Sequence, residues 1–130
     1  MLIVDASCLY EVVADGTQAE SVRSLLASDT DQVAPHLVDA EVLGLIRRDS
    51  ARGVLDPTAA HQSVQDLGLW PGERIDHRPF LGRAWELRHT VRSWDALYVA
   101  VAEAFNGTLL TRDVRLTGAS GPRCRFLRPK

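Results

Sequence analysis

Several residue types on which common classes of protein function depend are scarce in this chain of 130 residues. The two cysteines, Cys8 and Cys124, lie far apart and lack the spacing of metal ligands, so the sequence predicts neither a disulfide framework nor a zinc site. Free thiols are typical of a reducing compartment, and an acidic residue follows Met1 too soon for a signal peptide, so we expect a cytoplasmic protein. No apolar run approaches the length of about 18 residues that a membrane span needs, so no membrane contact is expected.

Lysine is nearly absent, and the charges that are present are unevenly distributed. The only lysine is Lys130, at the end of the chain. Residues 1–65 carry ten acids and four arginines, whereas residues 66–130 carry seven acids and eleven basic residues, and the net charge is −2. This charge balance does not itself indicate nucleic-acid binding, but the asymmetry fits an acidic centre with a basic rim.

Apolar runs and amphipathic segments alternate along the chain. A hydrophobic content of 45% and a charged content of 25% are ordinary for one globular domain, here residues 1–130. The patterns predict strands over residues 2–4, 32–34, 73–77, 108–111 and 124–127. They predict helices over residues 8–14, 17–27, 37–52, 57–69, 79–89 and 93–105. Such alternation predicts an α/β fold with three layers, α/β/α, around a mostly parallel sheet of about four or five strands.

The segment from residue 93 to 105 is the most unusual of these helices. From Trp94 to Phe105 only Asp95 and Glu103 are not apolar, which predicts a buried helix, with Ser93 as its N-cap. Asp95 then lies in the first turn, where the helix dipole favours a carboxylate by only about 0.3–1 kcal/mol. Burial of an unpaired charge costs more than this, so we expect a positive group beside Asp95.

Acidic residues also follow two of the predicted strands. Asp5 ends the first strand and Asp113 follows residues 108–111, and ligands of parallel sheets bind at such carboxyl ends. Glu41 or Asp39, which helical periodicity does not separate, can approach the same edge from the third helix. Clustered carboxylates repel one another unless a cation neutralises them, and ligand sets made only of oxygen select Mg²⁺ or Mn²⁺.

The chemistry that fits such a site is hydrolysis of a phosphodiester by a metal-activated water, with Arg112 as a candidate contact for the phosphate. Haloacid-dehalogenase-like phosphatases and response-regulator receivers have a similar layout, but both use a lysine in the pocket, and Lys130 is poorly placed for that role. The phosphatases also need a second aspartate where this chain has Ser7. The sequence has neither a glycine-rich phosphate loop nor a G-x-S-x-G turn.

At these residues the chain resembles the PIN-domain ribonucleases, and among them the VapC-type toxins of bacterial toxin–antitoxin pairs. The similar pieces are VDAS at residues 4–7, EVL at 41–43, RR at 47–48, SWDALYVAVAE at 93–103 and LLTRDVRL at 109–116. Their order and spacing match over nearly the whole chain. The family often has tyrosine where this chain has Trp94.

The resemblance implies that Asp5, Glu41, Asp95 and Asp113 form the catalytic site and bind Mg²⁺ or Mn²⁺, which favours Glu41 over Asp39. It implies that Ser7 and Thr111 hydrogen-bond the groups around the metal. Arg112 and Arg115 are the weaker candidates for substrate binding. The implied reaction is endonucleolytic cleavage of RNA, with tRNA or rRNA as candidate substrates, leaving 5′-phosphate and 3′-hydroxyl ends.

The resemblance also implies two kinds of protein partner. One is a small VapB-like antitoxin that blocks the site, and the other is a second copy of the chain in a homodimer, with larger heteromeric complexes of toxin and antitoxin. Helices 8–14 and 17–27 are candidates for the antitoxin groove, although core packing explains their apolar faces equally well. Two alternatives stay open: a PIN nuclease of RNA processing without an antitoxin, and a catalytically silent module that binds RNA or protein.

Aromatic and arginine residues leave two further interpretations open. The three tryptophans, Trp70, Trp85 and Trp94, either stack on RNA bases or belong to the core. A group of arginines forms either a basic rim facing RNA or a solvated helix face: Arg83, Arg88, Arg92, Arg112 and Arg115.

Overall fold

A computed structural model describes residues 1–130 except the side chain of Ser93, so the N-cap role predicted for Ser93 lies outside the described part. Within that part, five strands form one all-parallel sheet, in the order β3-β2-β1-β4-β5. The strands are β1 (Leu2–Val4), β2 (Gln32–Pro35), β3 (Glu73–Ile75), β4 (Thr108–Leu110) and β5 (Arg125–Leu127).

The central strand of the sheet is β1, with β2 and β4 as its neighbours. All three residues of β1 are buried, as expected for a strand covered on both faces. Ile3 lies opposite Val33 on one side and Leu109 on the other, so the register aligns the ends of the central strands. The backbone N–H of Asp5 donates to the Leu110 carbonyl at 3.2 Å, which places Asp5 where β1 ends.

Helices cover both faces of the sheet and complete the three-layer α/β/α fold. In the described residues they are α1 (Ala6–Val13), α2 (Ala19–Ser28), α3 (Leu37–Ala51), α4 (Pro57–Leu69), α5 (Leu81–Glu86), α6 (Ser93–Ala104) and α7 (Val114–Thr117). The first four pack on one another through α1 and α3, and α5 packs on α6. Since α6 also contacts β1, β2 and β4, it lies directly on the centre of the sheet.

The predicted fold class is confirmed, and most elements lie within a few residues of their predicted bounds. The predicted helix over 79–89 is wrong in extent, because a 3₁₀ turn at Arg78–Phe80 precedes a short α5 and turns follow it. The Leu87 N–H is shared between two carbonyls of the preceding turn, which is common where a helix ends. The short α7 was not predicted; its N-cap is Asp113, whose side chain accepts hydrogen bonds from two backbone N–H groups.

The predicted burial of α6 is correct for its centre and wrong for its start. Every residue from Ala96 to Ala102 is buried, whereas Trp94 is 58% exposed. Phe105, which follows the helix, is also 44% exposed. The first turn of α6 therefore carries the partly buried Asp95 next to a large aromatic side chain that is exposed to solvent.

No helix in the described part of the chain has the length and apolar character that crossing a membrane requires.

The fold predicts a large difference between two leucine-to-alanine substitutions. Leu110 of β4 is fully buried, so Leu110→Ala should lower the free energy of unfolding by about 2–5 kcal/mol through lost burial and a cavity. Leu69, at the end of α4, is 77% exposed, so Leu69→Ala should change it by less than about 0.5 kcal/mol. Urea denaturation of both variants measures the difference, and equal losses would contradict this assignment of the core.

Candidate active site

The site lies at the carboxyl edge of the sheet, where β1 and β4 end side by side. Asp5 directly follows β1, and Asp113 follows β4 after two residues. Asp95 lies in the first turn of α6, the helix that contacts both strands, and Glu41 lies on α3, which contacts β2. The parallel topology thus brings together acids that are far apart in the sequence.

Asp5 is the most deeply buried of these acids, with 5% of its surface exposed. Its Oδ1 accepts hydrogen bonds from the Ser7 hydroxyl at 2.6 Å and from the Cys8 backbone N–H at 3.1 Å, so it is also the N-cap of α1. Burial raises the pKa of Asp5, although hydrogen bonds from the Ser7 and Thr111 hydroxyls oppose the rise. Its carboxylate is therefore held rigidly in an environment that disfavours its charge.

Glu41 faces the same edge from α3. The Tyr98 hydroxyl of α6 donates to Glu41 Oε1 at 2.8 Å, which fixes the carboxylate between the two helices. Burial, together with the negative charges of Asp95 and Asp5, raises the pKa of Glu41 to about 7, against the effect of the Tyr98 hydrogen bond. Glu41 therefore titrates near neutral pH and is electrostatically coupled to both aspartates.

Asp95 is coupled to the other aspartates of the edge. Burial, followed by the charges of Asp5 and Asp113, raises the pKa of Asp95 to about 6, and the positive charge of Arg92 offsets part of this rise. Arg92 acts on Asp95 through its charge, but the two form no salt bridge, and the effect of Arg92 is smaller than the opposing effects. The negative charges of these carboxylates are therefore only partly compensated by neighbouring positive groups.

Asp113 is positioned by the loop that follows β4. Its N–H donates to Thr111 Oγ1 at 3.0 Å, and its own Oδ1 accepts the Arg115 N–H at 2.8 Å. Asp95 and Asp113 line one small cavity of about 180 Å³, together with Arg92 and Arg115. Of the two arginines predicted to bind substrate, Arg115 therefore borders the acidic site.

The other candidate, Arg112, is already engaged. Its guanidinium forms a salt bridge with the buried Glu11 at 3.0 Å and donates to Gln18 Oε1 at 2.6 Å. Its backbone N–H donates to Ser7 Oγ at 3.1 Å, and Ser7 in turn donates to Asp5. The guanidinium thus anchors the loop before Asp113 to α1. Its predicted contact with substrate stays a prediction.

Sequence reasoning missed Glu11 and Tyr98, although each left a signal. Glu11 is an acid within the apolar segment LYEVV, a pattern that predicts its burial. A buried carboxylate needs a positively charged partner, so the pattern also predicts a salt bridge. Tyr98 is the one hydroxyl-bearing residue in the apolar run from Ala96 to Ala102, and a buried tyrosine hydroxyl usually has a hydrogen-bond partner.

The four acids of this edge have no arginine partner, unlike most of the other acids with restricted exposure. Of those others, Asp29 pairs with the N-terminal ammonium, and Asp66 accepts a hydrogen bond from Gln62. No salt bridge among the described residues involves Asp5, Glu41, Asp95 or Asp113. In contrast, an arginine pairs with each of Glu11, Asp39, Asp49 and Glu103. The two candidate acids of α3 have different surroundings: Asp39 pairs with Arg74 at 3.0 Å, whereas Glu41 is electrostatically coupled to Asp95 and Asp5. The choice of Glu41 as the site residue stays a prediction.

The carboxylates share one electrostatic environment but do not form a closed metal cage. Among the described side chains, no three His, Cys, Asp or Glu groups already lie close enough together to hold a metal ion. The donor set nevertheless suits a hard divalent cation, because it consists of carboxylate and hydroxyl oxygens that carry uncompensated negative charge. Binding such an ion would require the carboxylates to move closer together.

The helices proposed for the antitoxin groove contribute partly to the core. Leu9 and Val13 of α1 and Val22 of α2 are buried in the hydrophobic core, while Leu25 and Leu26 are partly buried. Their apolar faces are therefore explained by packing of α1 on α2 and the sheet, and their role in a groove stays a prediction.

The raised pKa values predict how the metal-free protein responds to pH. Because the folded state holds protons on Glu41 and Asp95 that the unfolded state has released, the free energy of unfolding should fall as pH rises from about 4 towards 7. Asp95→Asn should remove part of this fall and make the variant more stable than the wild type at pH 8 in EDTA. Urea denaturation between pH 5 and 8 measures the effect.

Asp76→Asn is the matched control for this experiment. Hydrogen bonds from Arg78 lower the pKa of Asp76 to about 2, so its neutralisation should give no gain in stability at pH 8. Equal pH profiles for Asp95→Asn and the wild type would contradict the assigned electrostatic coupling.

Comparisons with known proteins agree with this fold. A family model described as PIN domain matches residues 2–121. Ribonuclease VapC1 of Mycobacterium tuberculosis H37Rv is 37% identical over 126 residues, which are 95% of this chain and 94% of that protein. Ribonuclease VapC9 of the same strain is 35% identical over 127 residues, which are again 95% of this chain and 94% of that protein.

Two solved structures have the same fold at lower identity. VapBC2 from Rickettsia felis, bound to a promoter DNA fragment, has a TM-score of 0.70 at 18% identity, covering 99% of this chain and 98% of that one. Mycobacterium tuberculosis VapC20, described as a toxin that cleaves the sarcin–ricin loop, has a TM-score of 0.69 at 20% identity, covering 91% and 94%. The chain belongs to the PIN-domain family, and its curated relatives within that family are VapC ribonucleases.

Proposed function

We propose that the protein is a Mg²⁺- or Mn²⁺-dependent endoribonuclease and the toxin of a toxin–antitoxin pair. The observation that carries this proposal is the set of four carboxylates, Asp5, Glu41, Asp95 and Asp113, that share the carboxyl edge of the sheet without an arginine partner. Curated relatives named ribonucleases support the activity. The presence of all four acids argues against a catalytically silent module.

The metal would be held by the carboxylates of this edge. A bound Mg²⁺ or Mn²⁺ lowers the pKa of a bound water and neutralises charge on a phosphoryl oxygen. Glu41 and Asp95, with pKa values of about 7 and 6, are suited to holding or releasing a proton near neutral pH. A bound ion would lower both pKa values through its positive charge, so its position would decide which of the two carboxylates holds the proton.

The neighbouring side chains have supporting roles in this proposal. The Ser7 hydroxyl orients Asp5, and the Thr111 hydroxyl orients the backbone at Asp113. Arg115 borders the cavity that Asp95 and Asp113 line, so it is the better placed of the two candidate arginines to contact a substrate phosphate. Arg112 acts through the position of the loop, because its guanidinium is bound to Glu11.

The descriptions of related structures support the partners that we propose for this protein. VapC20 is described as cleaving the sarcin–ricin loop and VapBC2 as bound to promoter DNA, so we propose a structured RNA, tRNA or rRNA, as substrate and a VapB-like antitoxin as inhibitor. A homodimer, larger complexes with the antitoxin and a cytoplasmic location belong to the same proposal. A PIN nuclease of RNA processing is the alternative if no antitoxin exists.

A pair of substitutions on α3 tests the catalytic site. Glu41→Gln keeps the size of the side chain but removes its charge, so it should reduce RNA cleavage roughly 100-fold or more. Asp39→Asn changes a carboxylate two residues away, which pairs with Arg74, and should leave cleavage at the wild-type level. Incubation with purified rRNA and tRNA in Mn²⁺, followed by mapping of the 5′-phosphate ends, measures both variants.

The same assay contains a test of metal dependence. EDTA should abolish cleavage by the wild type, and added Mn²⁺ should restore it. Full cleavage in EDTA, or by Glu41→Gln, would overturn the proposed mechanism.

A growth assay tests the role as a toxin. Expression of the wild type should arrest bacterial growth, whereas Glu41→Gln expressed at the same soluble level should not. Co-expression of the protein encoded by the adjacent gene should restore growth of the bacteria that express the wild-type protein. Arrest by Glu41→Gln would contradict a toxicity that depends on RNA cleavage, and an absence of arrest by the wild type would favour the RNA-processing alternative.

A further inference from the structure

A wide apolar groove lies between α5 and the start of α6. Two tryptophans line it, and both are exposed: Trp85 by 67% and Trp94 by 58%. We call this feature the tryptophan groove; its volume is about 840 Å³, and Arg88, Val91 and Arg92 also line it. Trp70, in contrast, is buried, and its indole N–H donates to Gln32.

Positive charge accompanies the exposed aromatic surface. The guanidinium carbon of Arg88 lies 4.4 Å from the centre of the Trp85 ring, and one of its N–H groups donates to the Trp85 carbonyl at 2.9 Å. Arg88 is therefore held as a cation against an indole face. Arg92 is exposed at the other side of the groove and acts on Asp95 through its charge.

The tryptophan groove is continuous with the acidic site. Val91 and Arg92 line both the groove and the small cavity that contains Asp95 and Asp113. Trp94 is also the residue directly before Asp95 on α6. A linear polyanion that crosses the carboxylates is thus adjacent to a surface of two indoles and two arginines.

We propose that the tryptophan groove binds the unpaired RNA strand next to the cleavage position, a proposal that rests on the proposed function. Bases of the strand stack on Trp85 and Trp94, and its phosphates contact Arg88 and Arg92. Exposed aromatic rings combined with a positive groove are the features with which proteins bind single-stranded nucleic acid. The inference narrows the substrate to RNA that is single-stranded beside the cut, since paired bases cannot stack on protein side chains.

A second copy of the chain is the rival occupant, because exposed apolar patches also mark protein interfaces. Charge favours RNA. Across a twofold axis the groove would meet the same surface of the other copy, so Arg88 and Arg92 of both chains would share one interface. The two arginines instead complement a phosphate backbone.

Binding measured on an inactive protein tests the proposal separately from catalysis. In the full chain carrying Asp95→Asn, the double substitution Trp85→Ala and Trp94→Ala should weaken binding of a fluorescent single-stranded RNA at least about 10-fold. Phe105→Ala, which removes an exposed aromatic ring at the other end of α6, should not change the affinity. A duplex of the same sequence should bind weakly to all three proteins.

Two further measurements distinguish RNA binding from binding of a second copy of the chain. Arg88→Gln should reduce the salt dependence of RNA binding, because it removes a phosphate contact. Sedimentation velocity reports the oligomeric state of each variant. Unchanged RNA affinity in the double variant would overturn the proposal. The proposal would also fail if the double variant changed from dimer to monomer while Arg88→Gln bound RNA with the same salt dependence as the protein that retains Arg88. If the wild type does not cleave RNA but the variants bind RNA as expected, the proposed nuclease function fails, whereas RNA binding by the tryptophan groove is retained.

Discussion

Mutual repulsion among carboxylates at one edge of a parallel sheet is the constraint on which the rest of this structure depends. Asp5 and Asp113 are brought there by the ends of two adjacent central strands, and Asp95 by a helix that is almost wholly buried on the same strands. Burial removes water that would otherwise screen these charges, and raises the pKa values of Asp5, Glu41 and Asp95. The folded protein thus maintains an arrangement that a divalent cation would relieve.

The distribution of arginines separates the structural acids from this group. Glu103 is bound by Arg83 and Asp39 by Arg74, so their charges are compensated within the fold. Arg92 compensates Asp95 only in part, because the opposing effects on its pKa are larger. No arginine of the described residues forms a salt bridge with an acid of this edge, and the shared pKa shifts make the edge a candidate functional site.

Much of this arrangement was accessible from the sequence, because it depends on local patterns and on parallel topology. An aspartate at or shortly after the end of an apolar strand lies near the carboxyl edge, so the positions of Asp5, directly after β1, and Asp113, two residues beyond β4, followed from strand prediction. The choice between Glu41 and Asp39 did not follow from periodicity, since it depends on Arg74, a residue 35 positions after Asp39. The exposure of Trp94 was equally inaccessible, because an apolar pattern does not tell which face of a helix lacks a neighbour.

The tight loop after α1 has a consequence for which substitutions the chain can tolerate. A Cβ atom at Gly16 would lie 2.4 Å from Glu11 Oε1, closer than two such atoms can approach. The Glu11 carboxylate would have to shift to make room, and this carboxylate also pairs with the Arg112 guanidinium. The backbone N–H of Arg112 donates to the Ser7 hydroxyl, which in turn donates to Asp5. A side chain at position 16 is therefore linked, through Glu11, Arg112 and Ser7, to the position of the Asp5 carboxylate at the edge of the sheet.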